Sequence, residues 1–595
     1  MRRIILTNTP PTSGSGLLLC YDQSVLNVKG WDNVDVRHII NKNKVKWLHD
    51  VYNWHGHLTE KLSKISNFYS LLPVSRLILW ETTNRFSLKP LLFLLALIKI
   101  FDKTDKDILI INPDEFLVSF IHEWLLNSDT HLENKLNTER RQWLKKRVRA
   151  NIFHHVKSFF TIGRVIYSLL FHIKRSHLPK IDVVVSSTLI NQELLHKNGD
   201  HFFGLMIEDS FRKTDKNIVW IYNDLFVKNR RAIDLKLKKI GRNAFFLADF
   251  FCWSDLLFSI KHSFITARKI KKEIHNLSFP INIEGLKSKE FSSSFVKNLA
   301  LYEIPLIELM TYRQYVRLFN TKNPSSIVFP YEGKAMENAL LLANKAANKK
   351  VKSIGYAHAG YSDGHLFVNR HKKEFIPRPD KIAVTGPDAR NRFIIAGVPE
   401  REVVIVGTPR YQEYIDTNFT TNRFGALNVL FICGLGFEMI RFANMLVENK
   451  ELACNNLIIR RSFHSWKEEQ DMAEKILFSE KVPFSSTSNV NLFEDIDNAD
   501  VVLYESTSAA FQASLRGKLV FKVFTSDVMT TEHFIGKKVT EKVDICLDSD
   551  SLMKMLDRVK LMTSEEYKEL AALQRSKFND IYSEIDTGNI KCLLG

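Results

Sequence analysis

A chain of 595 residues exceeds the roughly 250–300 residues at which a single hydrophobic core stops growing, so at least two domains are expected. Hydrophobic residues at 45% and charged residues at 25% are those of a globular protein and exclude disordered, collagen-like and disulfide-scaffold classes. The six cysteines stand singly without a CxxC pair, which points away from zinc and disulfides and toward a reducing cytoplasm, while the net charge of +18 attracts nucleic acid, anionic lipid or phosphorylated substrates without choosing among them.

The N-terminus holds only the short apolar run Ile4–Leu6, too little for a signal-peptide core, and is expected to be a first buried strand. The longest apolar stretch, Pro90 to Ile98, is about half the roughly 20 residues that spanning a bilayer requires, so no transmembrane helix is expected. Short β-branched runs recur at Arg3–Thr7, Leu77–Trp80, Asp107–Asn112, Asp182–Ser186, Asn217–Tyr222 and Ser326–Phe329. Helically spaced segments separate most of them, the pattern of a parallel sheet covered by helices. Strand signals stop over 115–178, where a long helical insertion is expected. Its cations, from Arg140 to Arg175, interleave with Phe153, Phe159, Phe160, Leu169 and Phe171. That mixture fits a helix lying on an anionic membrane surface and equally a core helix with a solvated basic face. Residues 240–300 form a second helical stretch of the same insertion, including Phe245–Ile260, where Asp249 and Asp255 predict a buried, partly polar helix.

After Arg370 the polar, basic run His371–Asp380 reads as an interdomain crossing. A second α/β series follows, with strands at Lys381–Thr385, Val403–Val406, Asn428–Cys433, Asn456–Arg460, Val501–Tyr504 and Leu519–Val523, at the spacing of βα units. From Ser551 onward the chain reads as one or two amphipathic helices. The domains are therefore expected at 1–375 and 376–595.

The strongest local signal is the strand ending at Tyr504 followed by Glu505-Ser506-Thr507-Ser508 and a helix of small residues. Free N–H groups, the helix dipole and three hydroxyls there suit a phosphate, against the plainer alternative of helix capping. Arg460, Arg461 and His464 leave the end of the preceding strand, where ligands of open α/β sheets collect. Asn428–Gly436 is a strand ending in Gly434-Leu-Gly, which permits close backbone approach but lacks the third glycine of a dinucleotide fingerprint. Gly407-Thr-Pro-Arg410 ends another strand with a turn and a cation. In the first half, Pro330-Tyr-Glu332-Gly puts a carboxylate just past a strand end. It can serve as a general base or as an acidic neighbour of a helix N-cap. The next strand delivers His358 into a glycine-flanked turn expected beside Glu332, because consecutive βα units neighbour one another.

The order of Pro-Tyr-Glu-Gly-Lys-Ala (330–335), Ile-Gly-Tyr-Ala-His (354–358), Val-Thr-Gly-Pro (384–387), Val-Gly-Thr-Pro-Arg (406–410), Arg-Arg-Ser-Phe-His-Ser (460–465) and Tyr-Glu-Ser-Thr-Ser-Ala-Ala (504–510) resembles GT-B glycosyltransferases of bacterial surface-carbohydrate loci. The likeness extends to enzymes using CMP-activated keto-sugars such as Kdo and sialic acid, with a fainter echo in Asp200-His-Phe-Phe-Gly204. The resemblance implies two Rossmann-like domains, a donor nucleotide in the C-terminal one, an acceptor in the N-terminal one and a cleft between them. It maps a catalytic base onto Glu332, the histidine that meets the CMP phosphate onto His464, and a Ser/Thr pair onto Ser506 and Thr507. The expected enzyme is a metal-free, cofactor-free hexosyl or keto-sugar transferase of bacterial capsule, O-antigen or lipopolysaccharide assembly. Its base is Glu332 with His358, and its donor site comprises Arg410, Gly434, Arg460, His464 and Glu505–Ser508. A nucleotide-sugar and a glycan or lipid-linked acceptor are the expected partners, at the cytoplasmic face of the inner membrane. A CDP-glycerol-type phosphotransferase and a non-catalytic nucleotide- or polyanion-binding assembly protein are the alternatives. Nucleic acid is not expected, because most of the 42 Phe residues fall in apolar core-like runs rather than among the cations.

Overall fold

A computed structural model describes residues 3–7, 15–20, 31–33, 36–65, 68, 89–111, 117–118, 121, 124–125, 131–134, 180–188, 200, 202–204, 214–223, 230–239, 242–283, 286–289, 292, 306–359, 377–409, 411, 427–433, 436–448, 456–460, 467–487, 492–504, 507, 509–523, 538–540, 543–544, 546–547, 549–585 and 587–594. The chain divides into two compact units. Unit 1 comprises Met1–Val384, Arg390–Ile405 and Thr587–Gly595; unit 2 comprises Thr385–Ala389 and Val406–Asp586.

Unit 1 holds two parallel sheets. The first contains β1 (Arg3–Thr7), β2 (Gly16–Cys20), β3 (Trp31–Asn33), β4 (Ile108–Ile111) and β5 (His131–Asn134) in the order β3-β2-β4-β1-β5. Ile4, Ile5 and Leu6 pair with Ile108, Leu109 and Ile110 and are all buried, as expected of strands covered on both faces. Helices α1 (Val36–Ile65) and α2 (Lys89–Phe101) lie between β3 and β4 in sequence. β5 corrects the expectation of an uninterrupted helical insertion over 115–178. Its sequence His-Leu-Glu-Asn carries no β-branched residue, yet it pairs with Arg3–Leu6 along the sheet edge. The basic run Arg140–Arg175, with its expected membrane role, and the expected strand Leu77–Trp80 lie outside the described residues.

The second sheet takes β6 (Val183–Thr188), β7 (Ile218–Asn223) and β8 (Ala244–Phe246), then, after the small antiparallel hairpin β9 (Ile281–Ile283) and β10 (Leu286–Ser288), β11 (Ser326–Pro330), β12 (Lys352–Ala357), β13 (Lys381–Val384) and β14 (Val403–Ile405). All seven strands of the sheet are parallel, in the order β14-β13-β12-β11-β6-β7-β8. Two expectations change here. β13 and β14 continue this sheet from β12, with Ile354 opposite Lys381, instead of opening the C-terminal series. The stretch 240–300 begins with an edge strand, β8, before it becomes helical. The helices are α3 (Arg230–Lys239), α4 (Trp253–Lys272), α5 (Leu306–Lys322) and α6 (Ala335–Ala346). Asp249 and Asp255 are buried, but not within one buried helix over 245–260: Asp249 lies in the tight turn Leu247–Phe250 and accepts from the Phe246 N–H at 2.9 Å, while Asp255 opens α4, whose Trp253 and Leu257 are exposed, and accepts from the Cys252 N–H at 2.9 Å. Arg317 Nη1, from α5, also donates to Asp255 at 2.6 Å. Close to the end of the sequence, the tight turn Lys591–Leu594 returns to unit 1 and packs against β11, with Leu593 fully buried.

Unit 2 is built on β15 (Asn428–Ile432), β16 (Asn456–Arg460), β17 (Ser485–Thr487), β18 (Val501–Tyr504) and β19 (Leu519–Val523). The small antiparallel pair β20 (Lys538–Thr540) and β21 (Val543–Asp544) precedes the short edge strand β22 (Cys546–Leu547). The parallel order is β17-β16-β15-β18-β19-β22. The two helices expected after Ser551 are present as α7 (Ser549–Leu561) and α8 (Ser564–Asn579). Thr563 and Glu566 cap α8 reciprocally, Thr563 Oγ1 accepting from the Glu566 N–H at 3.2 Å and Glu566 Oε2 from the Thr563 N–H at 2.7 Å, a pairing that satisfies two first-turn donors. Tyr567 and Gln574 of α8 reach the sheet, taking the N–H groups of Leu519 and Val520 at 3.0 and 2.7 Å. From α8 the chain runs back over two glycines: a Cβ at Gly386 would stand 2.7 Å from the Ile581 carbonyl oxygen, and one at Gly407 would collide with that of Glu584.

The second sheet and that of unit 2 share one winding. Each starts in the middle, adds two strands to one side, then returns to add the rest on the other side. This is the doubly wound Rossmann-like order, and ligands collect at the carboxyl ends of the two strands where the direction reverses. The protein is thus α/β with two Rossmann-like sheets. Their reversal points lie between β6 and β11 and between β15 and β18.

Candidate active site

At the first reversal point the strand register fixes the chemistry. Pro330 of β11 pairs with Tyr356 of β12, so two residues further on Glu332 and His358 leave adjacent strand ends side by side. Two glycines allow this. Gly333 has φ +73°, in the left-handed region that favours glycine. Gly355 leaves room for Tyr331, whose Cβ would meet a Cβ there at 2.8 Å. His358 Nε2 stands 3.1 Å from Glu332 Oε1, and Lys334 Nζ pairs with Glu332 Oε2. The His358 ring is buried, with the Phe202 ring set edgewise against it at 4.7 Å. Its Nδ1 has no hydrogen-bond partner among the described residues. With Nε2 donating to the carboxylate, a neutral imidazole carries its free lone pair on Nδ1.

A third carboxyl completes the group. Glu337, in the first turn of α6, accepts the backbone N–H groups of Glu332 at 2.8 Å and Lys334 at 3.0 Å. Glu337 therefore caps α6, which leaves the Glu332 side chain to His358 and Lys334. The two carboxyls are driven apart in acidity. Burial raises the Glu332 pKa, but the hydrogen bond and charge of His358, with the charge of Lys334, outweigh it and hold the group well below the usual carboxylate range. Burial, then the neighbouring Glu332 charge, push Glu337 up to about 8. Glu332 thus holds His358 Nε2 in the way the carboxylate of a hydrolase triad holds its histidine, and in the uncharged form of the ring Nδ1 is the nitrogen that carries the lone pair.

On the β6 side of the reversal, Ser187 Oγ donates to Asp200 Oδ2 at 2.9 Å, while Asp200 Oδ1 accepts the N–H groups of Phe202 and Phe203 at 2.9 and 3.2 Å. Burial raises the Asp200 pKa more than these bonds lower it. Asp200 thereby sets the turn that places Phe202 over His358. Neither Asp200 nor Glu337 was singled out from sequence. The available signals were the acidic residue opening Asp-His-Phe-Phe-Gly and a glutamate three residues after an N-cap.

At the second reversal point Ile432 and Tyr504, the last residues of β15 and β18, are paired, and Arg460 at the end of β16 lies opposite Ile432. Arg460 is buried and ion-paired with Asp495, which Thr487 Oγ1 also approaches at 3.4 Å. Its charge is therefore balanced within the fold. Thr507 Oγ1 accepts from the Ala509 N–H at 3.2 Å at the start of the helix Ala509–Leu515, a capping contact. Arg410, Gly434, His464, Glu505, Ser506 and Ser508 lie outside the described residues. Among the described residues no cluster of three His, Cys, Asp or Glu side chains is placed to hold a metal ion, and no helix is long and apolar enough to cross a membrane.

No protein-family model matches the sequence, and no curated protein matches it. Among solved structures the chain is similar to UDP-GlcNAc 2-epimerase from Neisseria meningitidis bound to UDP-GlcNAc, at a TM-score of 0.41 and 11% identity over 70% of this chain and 98% of that one. It is also similar to the lipopolysaccharide outer core galactosyltransferase WaaB (0.40, 13%, 69% and 99%) and to Anabaena HepE in complex with UDP (0.38, 11%, 69% and 98%). At these scores no residue role passes from those proteins to this one.

Proposed function

We propose that the protein is a glycosyltransferase that moves a sugar from a nucleotide donor to a hydroxyl of a glycan or lipid-linked acceptor in bacterial surface-polysaccharide assembly. The observation that carries this reading is the oriented pair at the first reversal point, Glu332 fixing His358 Nε2 while Nδ1 is left without a partner. In the proposed step an acceptor hydroxyl passes its proton to Nδ1 as its oxygen bonds to the anomeric carbon. The bond from that carbon to the donor phosphate breaks, and the nucleotide leaves with the electron pair. Phe202 has to swing off the imidazole for the acceptor to enter. Donor binding is assigned to the second reversal point, through the stretches after β15, β16 and β18. A CMP-linked keto-sugar is the donor that the sequence resemblance favours.

The test pairs binding with turnover. A nucleotide at 100 times its dissociation constant stabilises its target by about 2.7 kcal/mol, so thermal unfolding with CMP, CDP, UDP, GDP and ADP ranks the donors. His358→Gln should retain the nucleotide-induced shift yet lose about 10²–10⁴-fold in transfer, the range for removing a general base. Stabilisation by none of the nucleotides, or transfer undiminished in His358→Gln, would sink the proposal.

A further inference from the structure

Helix α4 carries bulky apolar side chains on its solvated face. Its inward face carries Asp255, Ser259, Ser263 and Thr266, all buried, together with buried Leu256 and Ile270 and the half-buried Phe258 and Ile260, which pack into small apolar clusters with Leu309 and Met310. Its outward face carries Trp253 (49% exposed), Leu257 (69%), Phe264 (64%) and Ile265 (38%). At 100° per residue, Trp253, Leu257, Lys261, Phe264 and Arg268 share one stripe, with Lys261 and Arg268 both exposed. The only carboxylate between Trp253 and Lys272, Asp255, is turned inward onto Arg313 and Arg317. The exposed stripe therefore alternates bulky apolar groups with cations and presents no anion. Large apolar side chains grouped on a solvated face indicate a face that is covered in use.

We propose that this face of α4 seats the protein on an anionic lipid surface. Leu257 and Phe264 enter the boundary between headgroups and acyl chains, Trp253 lies at headgroup level, and Lys261 and Arg268 reach back to lipid phosphates. A helix of 20 residues is about 30 Å long, enough for three successive turns to engage lipid while the helix lies flat. The residues of this face lie outside the basic run Arg140–Arg175 in sequence, and the inference stands whether or not the glycosyltransferase reading holds.

Flotation of the full chain with vesicles tests it. Binding to a two-to-one mixture of phosphatidylcholine and phosphatidylglycerol is expected, with little binding to phosphatidylcholine alone. The double variant Leu257→Glu/Phe264→Glu should bind at least about tenfold more weakly. Lys261→Glu/Arg268→Glu should weaken binding and flatten its salt dependence. All four positions are exposed, so the thermal midpoint and any nucleotide-induced shift should stay unchanged, which keeps this result apart from that of the donor panel. Equal binding by Leu257→Glu/Phe264→Glu and the parent overturns the proposal, as does equal binding to both vesicle types. So does self-association of the parent, without vesicle binding, that the double variant abolishes; the occupant is then a second copy of the chain.

Discussion

Replacing Glu337 by glutamine isolates the control that the fold exerts over the charge of the site. Burial and the adjacent Glu332 carboxylate move the Glu337 pKa from 4.5 to about 8, a shift on the order of 5 kcal/mol at about 1.36 kcal/mol per unit. The unfolded chain releases this proton near pH 4.5, whereas the native protein holds it to about pH 8. The associated stability is thus complete below the unfolded pKa and is lost as the pH rises to the folded one, at about 1.4 kcal/mol per pH unit. Glu332 acts with the opposite sign. Its depressed pKa contributes stability that is fully present above the unfolded value and lost only as the pH falls below it, so it leaves the interval from about pH 5 to 8 undisturbed. Glutamine keeps the shape and the carbonyl oxygen that accepts from Glu332 and Lys334 but has no proton to release. Glu337→Gln should therefore match the parent near about pH 5 and exceed it by several kcal/mol above about pH 8. Denaturant unfolding of both proteins across that range gives the difference directly, and infrared spectra locate the protonated carboxyl in the parent. Parallel stability profiles, or a carboxyl band already absent near about pH 6, would refute the assignment.

Two further outcomes test unit 2. Arg460→Met leaves Asp495 buried without its cation and should destabilise by about 3–5 kcal/mol, whereas Arg460→Met/Asp495→Leu should recover most of the loss; a single variant as stable as the parent in thermal unfolding would show that Arg460 is free to serve a ligand. Gly407→Ala, at φ +77° and with a Cβ directed at the Glu584 carbonyl oxygen, should cost about 2 kcal/mol or more, and an unchanged midpoint would show that the backbone of 580–585 yields without penalty.

The α/β class was legible because buried parallel strands write themselves as β-branched runs. Ile4–Leu6, Val183–Val185 and Val501–Leu503 are all buried, and the neighbours Glu332 and His358 followed from consecutive βα units. The partition of strands among sheets was less legible. Residues 371–380 have the polarity of a linker, but Asp380 takes the N–H and hydroxyl of Ser353 at 2.9 and 2.7 Å and holds the start of β13 against β12. Polarity near a sheet end does not distinguish a linker from a polar clasp. The glycines of Val-Thr-Gly-Pro and Val-Gly-Thr-Pro-Arg are legible in the sequence only as part of the resemblance and as a strand-ending turn. They lie under the backbone of Ile581 and Glu584, and Thr385 and Thr408 donate to the Ile581 and Ser583 carbonyls at 2.8 and 2.7 Å. The contacts of the Glu332 side chain were also beyond sequence, because the capping of α6 by Glu337 leaves that side chain to His358 and Lys334.

The turn Lys591–Leu594 against β11 orders events during synthesis. β11 leaves the ribosome well before its last packing partner, and every residue of unit 2 is made in between. Nascent unit 1 must wait with the bed of Ile590 and Leu593, both buried in the finished fold, open to water or to a chaperone. Domains made earlier generally fold earlier, but here the earlier unit cannot close its core until the later one has been translated. Cutting the chain after β14 would therefore release a fragment with an apolar scar in place of an independent domain.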